Sequence, residues 1–448
     1  MLSIDYVREL NKLEHLFQNA EQEDYVAWSF DEPLALCGVT GSGKTDTIMK
    51  FCSSHSRRLY FAFRNLTADI APKIFSSQYP DVFTEICNDW ESFFSSLREH
   101  FAGRYHVLAF DDLDDRNDRD NFLQALSEYM EQDNNRNPFV ILVLRNVESL
   151  DLSSYKFHMQ AYRPADLRRS FPKMTDEDRI RLYSITGGNA GLLSMYDDDL
   201  SFDGNLKNFC RRDSCFSHYG AALLQEQFRS PESYSGILAA IAFGRHRLSD
   251  IAAFAGYSNK KCSIYLQALC DAKLVCTKKE RSEDKRSTTR YYIDSGYMAL
   301  WARFLLSQQI ESLSDDEDLW ATVNNYVDRV LVPEHFRRLC ESWFHERRLQ
   351  FEISGHSFVE NYRDTDGSLF DHIYSSANKK SFIKIWIDLD GRYGAEDFQR
   401  LEDASVKINP YYDNTYFLFS IHRFKDDLWK LSRQYENIHL VEARFLSY

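Results

Sequence analysis

The sequence predicts an α/β fold in which a parallel sheet carries a nucleotide site, and three observations support it. The first is the octet GVTGSGKT at Gly38–Thr45, which satisfies G-x-x-x-x-G-K-[ST] with Gly38, Gly43, Lys44 and Thr45 in the fixed places. The second is the compact apolar run His106–Phe110, which ends in the acidic pair Asp111-Asp112. The third is the alternation, up to about residue 150, of short apolar strands with helical stretches, the usual pattern of a parallel sheet wound with helices.

Taken in order, residues 1–30 read as a helical lead-in, with Leu10, Leu13, Leu16 and Phe17 at helical spacing. Leu34–Cys37 is a short buried strand that runs into the octet, and Asp46–Phe51 leads out of it as a helix. Further strands are predicted at Arg58–Phe63, Val107–Phe110 and Phe139–Leu144, with a helix at Asp120–Gln132. Strand, glycine-rich loop, helix is the order that phosphate binding needs. Glycines let the backbone wrap the phosphates, so successive N–H groups and the helix N-terminus face the negative charge. The expected nucleotide contacts are Gly38, Thr40, Gly41, Ser42, Gly43, Lys44, Thr45 and Asp46. Lys44 would reach the β and γ phosphates, and the Thr45 hydroxyl would take one place on Mg²⁺.

An acidic pair delivered by a buried strand is the Walker B arrangement, and Asp111 is expected to bind Mg²⁺ through water. Asp112 falls where many ATPases carry a glutamate that orients the attacking water. It is one methylene shorter, so slow hydrolysis is expected. A solvated acidic loop is the alternative, because Asp114, Asp115, Asp118 and Asp120 follow; the partnership with the octet favours the metal role. Arg145, at the end of the strand Phe139–Leu144, suits either a sensor of the γ phosphate or a strand-end arginine paired with surface acids. Arg163, Arg168 and Arg169 are candidates for an arginine finger, with plain surface solvation as the commoner role of such residues.

Bulk properties narrow the class. A chain of 448 residues has room for two to four domains. Its net charge of −14 argues against a protein that coats nucleic acid over its whole surface. Nine scattered cysteines, with no C-x-x-C pair, point to free thiols in a reducing cytoplasm. The thirteen histidines show no metal-ligand spacing, so no metal beyond Mg²⁺ is expected. The opening MLSIDYVREL lacks the basic start and apolar core of a secretory signal, and the longest apolar stretch, around Gly236–Phe243, is too short to cross a bilayer. A cytoplasmic protein with no membrane contact is expected.

Beyond the core, residues 161–230 read as a mostly helical lid or sensor region. Within 231–325, three helix-like pieces (YSGILAAIAFG, LSDIAAFAG and NKKCSIYLQALCDAKL) precede VCTKKE and RYYID, which read as a β hairpin. Three helices and a wing make a winged-helix domain. Residues 235–294 hold eleven Lys/Arg against six Asp/Glu. Lys260, Lys261 and the Lys278–Arg290 wing are therefore candidate contacts to duplex DNA, with protein docking or a merely solvated wing as the alternatives. Residues 326–448 combine the helical PEHFRRLCESWFHERRL with strands in SFIKIWIDL, TYFLFSI and IHLVEA, and a helix at Leu428–Gln434.

The order of these parts resembles the archaeal-type ATPases, STAND-like P-loop proteins related to the AAA group. The resemblance rests on Gly38–Thr45, Asp111-Asp112 and LYSITGGNAGLL at Leu182–Leu193, which is similar to the family's TGG-P signature with Asn189-Ala190 where a proline is usual. EQFRSPESYSGILAAIAFG, LSDIA, YLQALCDAKLV and RYYIDSGYMALWARFL extend it. It implies ATP as the nucleotide and a C-terminal domain like a restriction endonuclease. Asp371 stands where that family's first metal-binding acid would be. Aligned on Trp386, however, the acid and lysine of the next strand become Ile383 and Ile385, while strict alternation turns Lys384 to the other face. Asp388 and Asp390 do not restore the pattern. A degenerate nuclease domain, retained for docking a protein partner, is the expectation.

The whole reads as P-loop ATPase core (1–160), helical region (161–230), winged helix (231–325) and degenerate endonuclease-like domain (326–448). It would be a Mg²⁺-dependent ATP-binding switch with slow hydrolysis; an ATP-gated DNA nuclease and a protein-only scaffold are the alternatives.

Overall fold

In this computed structural model the chain divides into two compact units, one of Ser3–Ala161 with Asn189–Ser194, the other chiefly Tyr162–Gly188 and Met195–Tyr448. The structure describes residues 7–21, 32–64, 66–67, 69–102, 104, 106–113, 119–131, 138–145, 154–211, 213–281, 287–306, 317–353, 357–363, 369–375, 379–387, 391–410 and 413–445.

The first unit runs α1 (Val7–Glu21), β1 (Leu34–Cys37), α2 (Lys44–Ser54), β2 (Arg58–Ala62), α3 (Ala71–Gln78), α4 (Trp90–Phe101), β3 (Val107–Asp111), α5 (Arg119–Glu131), β4 (Phe139–Leu144) and β5 (Tyr155–His158). The five strands form one sheet, ordered β2-β3-β4-β1-β5, and every pairing is parallel. β1, β3 and β4 are buried along their whole length. That is why they read as continuous apolar runs and not as alternating ones. A dense aromatic core, including Phe61, Phe75, Phe93, Phe110 and Phe122, packs one sheet face. α1 places Phe17 edge-on against Phe51 of α2 and Phe139 of β4. Because the strands are parallel, the C-terminal ends of β1, β3 and β4 share one edge of the sheet. In such sheets that edge is where ligands bind.

In the second unit, α6 (Pro164–Ser170) and α7 (Asp176–Thr186) come before the chain returns to the first unit as the short α8 (Ala190–Leu193). Then follow α9 (Phe202–Phe209), α10 (Cys215–Gln227), α11 (Pro231–Ala242), α12 (Leu248–Ala255) and α13 (Asn259–Asp271). An antiparallel hairpin, β6 (Val275–Arg281) and β7 (Ser287–Ile293), stands after them. α14 (Gly296–Leu300), α15 (Glu317–Tyr326) and α16 (Val332–Arg347) lead into a second five-stranded sheet. Its strands β8 (Ser357–Arg363), β9 (Leu369–Ser375) and β10 (Lys379–Trp386) form an antiparallel meander. After α17 (Ala395–Ile408), β11 (Asp413–Ser420) lies parallel to β10; after α18 (Asp426–Gln434), β12 (Ile438–Glu442) lies parallel to β11.

Candidate nucleotide site

The loop between β1 and α2 is shaped by its glycines. Gly41 and Gly43 have φ of 76° and 86°, in the left-handed region that favours glycine. A Cβ on Gly38 would meet Ser42 Oγ at 2.6 Å and Met159 Cβ at 3.0 Å, so any larger residue would crowd the loop there. Gly43 is the N-cap of α2 and no side chain caps that helix, which leaves its first N–H groups directed into the loop. Ser42 Oγ is buried without a hydrogen-bond partner among the described residues. The cradle at Gly38 and this orphaned hydroxyl fit a loop that wraps phosphate. Lys44 Nζ donates to the carbonyls of Gly38 and Val39, at 2.5 and 3.1 Å. The ammonium thus lies over the loop. Gly38, Thr40, Gly41, Ser42, Gly43, Lys44, Thr45 and Asp46 all fall in this loop and the first turn of α2.

The two sequence motifs meet. Thr45 Oγ1 donates to Asp111 Oδ2 at 2.7 Å, across 66 residues of chain. Asp111 ends β3 and is 2% exposed. A carboxylate this buried needs donors, and it has two more. Tyr60 Oη donates to the same Oδ2 at 2.7 Å, and the Asp112 N–H donates to Oδ1 at 2.8 Å. Burial, followed by the bond to Asp111, raises the Tyr60 phenol far above its usual range and keeps it a donor. Tyr60 was not legible as a site residue: it sits in β2, paired with Ala109 of β3, and only the register shows that its hydroxyl reaches Asp111. Asp112 itself is exposed, with φ of 56°, a conformation tolerated best by Gly, Asn and Asp.

Two further contacts hold the loop. Asn189 Nδ2 donates to the Thr40 carbonyl at 2.9 Å, and the Gly191 N–H donates to the Gly41 carbonyl at 2.7 Å. The sequence singled out Asn189-Ala190 for standing in place of a proline; the structure gives Asn189 a direct bond to the phosphate loop. β4 lies between β1 and β3, and the Gly38 N–H donates to the Leu144 carbonyl at 3.2 Å. Arg145 therefore leaves the sheet between the loop and Asp111. Arg168 donates to Asp176 at 3.0 Å, and Arg163 lies 3.6 Å from Asp166.

The expected nucleic-acid contacts lie in the second unit. Lys260 and Lys261 are exposed on α13. Lys261 stands over the rings of Tyr257 and Tyr265, at 4.5 and 5.6 Å. Lys278 of β6 donates to Glu334 at 2.8 Å and lies over Tyr292. Of the Lys278–Arg290 wing, residues 282–286 lie outside the described residues.

On β9, Asp371 is buried and accepts the Ile385 N–H at 2.7 Å. Lys384 Nζ lies 3.5 Å and Arg337 Nη2 3.6 Å from its carboxylate. The register of β9 with β10 is recorded as far as Ile383 opposite His372. Just past it, the Asp371 carboxylate meets Lys384, a contact that alternation along β10 alone did not foretell. Asp388 and Asp390 lie outside the described residues. Among the described residues, no helix is long and apolar enough to cross a membrane.

No family model matches the chain. The uncharacterized protein MJECL04 of Methanocaldococcus jannaschii is 29% identical over 166 residues, which is 36% of this chain and 37% of that protein. The match thus spans well under half of that relative's length. Among solved structures, the Aeropyrum pernix ORC1 protein in complex with DNA is similar at 13% identity and TM-score 0.38, covering 67% of this chain and 91% of that one. A RuvB mutant from Thermotoga maritima is similar at 15% identity and TM-score 0.32, covering 64% and 92%. At such scores these likenesses decide nothing, and the reading of the core rests on its own loop and strand order.

Proposed function

We propose that this chain is a Mg²⁺-dependent ATP-binding switch with slow hydrolysis, built on an AAA-type P-loop core. The observation that carries the reading is the 2.7 Å bond from Thr45 to Asp111, which joins the phosphate loop to the buried acid at one sheet edge. The strand order β2-β3-β4-β1-β5, with the loop after β1, supports it. Bound Mg²⁺ would neutralise phosphate charge and activate the terminal phosphoryl group. Thr45 would hold the ion directly and Asp111 through water. Lys44 would trade the Gly38 and Val39 carbonyls for phosphate oxygens. Asp112 would orient the attacking water, and Arg145 would report the γ phosphate. In such a device the conformational change matters more than turnover. ATP over GTP rests on the family resemblance. The winged helix and the C-terminal domain would carry the output, to duplex DNA or to a protein partner.

A second reading, output to protein alone, has a specific observation behind it: Lys278 is bound to Glu334 instead of standing free in the wing. ATP hydrolysis measured with and without duplex DNA, for the protein and for Asp112→Asn, tests the proposal. Turnover that falls at least about tenfold in the variant supports hydrolysis assisted by Asp112. Stimulation by DNA favours the first output, and DNA indifference the second. Absence of turnover in the unaltered protein contradicts the hydrolytic part.

A further inference from the structure

We infer that Tyr60 is a positioning residue for the metal, fixing the Asp111 carboxylate in the orientation from which its free lone pair meets a Mg²⁺-bound water. This inference rests on reading Gly38–Thr45 as a Mg²⁺-nucleotide site. A carboxylate has about four acceptor positions. Three are filled here: Oδ2 accepts both Tyr60 and Thr45, and Oδ1 accepts the Asp112 N–H. Among the described residues, the remaining position is on Oδ1. With donors on both oxygens, the carboxylate cannot rotate without losing bonds that a group 2% exposed cannot replace with water.

Tyr60 is itself held in place. Its N–H donates to Tyr79 Oη at 3.1 Å, and Tyr79 Oη donates to the Tyr60 carbonyl at 2.9 Å. β2 is the edge strand of the sheet, so the Tyr79 hydroxyl closes an edge that would otherwise be open to water. A continuous chain of bonds therefore runs from Tyr79 of the α3–α4 connection through Tyr60 and Asp111 to Thr45. Of its members only Thr45 is an expected nucleotide contact; Tyr79, Tyr60 and Asp111 are not. Loss of the chain of bonds should disturb the metal and spare the nucleotide. That split separates a positioning role from a merely structural one.

The test is a titration of a fluorescent ATP analogue into the protein and into Tyr60→Phe, with EDTA and at rising Mg²⁺. The Mg²⁺ concentration at half-maximal binding should rise about tenfold in the variant, while affinity in EDTA stays within about twofold. In an Asp111→Asn background the Tyr60→Phe effect should disappear, because the hydroxyl acts through that carboxylate. An unchanged Mg²⁺ requirement, an effect that persists without the Asp111 carboxylate, or a variant that fails to fold would each overturn the inference. Loss of analogue binding in Lys44→Ala checks the site reading independently. If that loss is seen while Tyr60→Phe has no effect, only the inference falls.

Discussion

At the residue scale, one buried carboxylate organises the site. Asp111 is tolerable at the end of β3 because three donors converge on it: Thr45 from α2, Tyr60 from β2 and the N–H of the next residue, Asp112. The loop has an equally local requirement at Gly38. Substituting Gly38→Ala would push a Cβ to 2.6 Å from Ser42 Oγ. It should destabilise the protein by about 1–3 kcal/mol and weaken nucleotide binding, as a thermal melt and a binding titration would show. A separate pH dependence belongs to α16. Burial, with Arg338 adding to it, lowers His335 from 6.5 to about 4. The unfolded chain therefore takes up this proton first as pH falls. Stability from this group is complete above pH 6.5 and is lost toward pH 4, by on the order of 3 kcal/mol. Melts of His335→Gln should show a flatter slope over that interval than the unaltered protein. Glycines, lysine and the acid pair were legible because their spacing is local. Tyr60 was not, because its role depends on which strand lies beside β3.

At the scale of elements, the hairpin and α13 divide the basic residues into two kinds. Lys278 is spent on an internal network: it meets Glu334, which also accepts from Arg338, which in turn reaches Asp294 at 2.6 Å. These groups tie β6 to the start of α16. Lys260 and Lys261 remain on an exposed helix face. If duplex DNA is the partner, Lys260→Glu with Lys261→Glu should weaken binding at least about tenfold and flatten its salt dependence. Lys278→Ala should mainly lower the melting temperature. Electrophoretic mobility at several salt concentrations distinguishes them; absence of DNA binding would favour protein output, and binding that ignores both charge reversals would put the DNA contact elsewhere. The strands Leu34–Cys37 and Phe139–Leu144 match their predicted limits, because each short apolar run follows a proline and stops at Gly38 or Arg145. β5, Tyr155–His158, was missed because its burial is confined to Phe157.

For the whole molecule, two five-stranded sheets of different construction lie in two separate units. The second sheet, a meander extended by two parallel strands, puts Asp371 in a nest of Ile385 N–H, Lys384 and Arg337. One hydrogen bond and two nearby cations thus offset the charge of the carboxylate. Plasmid incubated with Mg²⁺ should remain uncut, and Asp371→Ala should register as lost stability and not as lost cleavage. Cleavage abolished by that substitution would restore the nuclease reading. The alternating pattern of the core was legible over its first 150 residues. The return of Asn189–Ser194 to the first unit was not, since no local pattern says which unit so short a segment joins.

The most direct measurement is calorimetric titration of Mg·ATP into the protein and into Lys44→Ala. The account requires saturable binding that weakens at least about tenfold, about 1.4 kcal/mol, in the variant. Equal binding by both, or binding by neither, would contradict it.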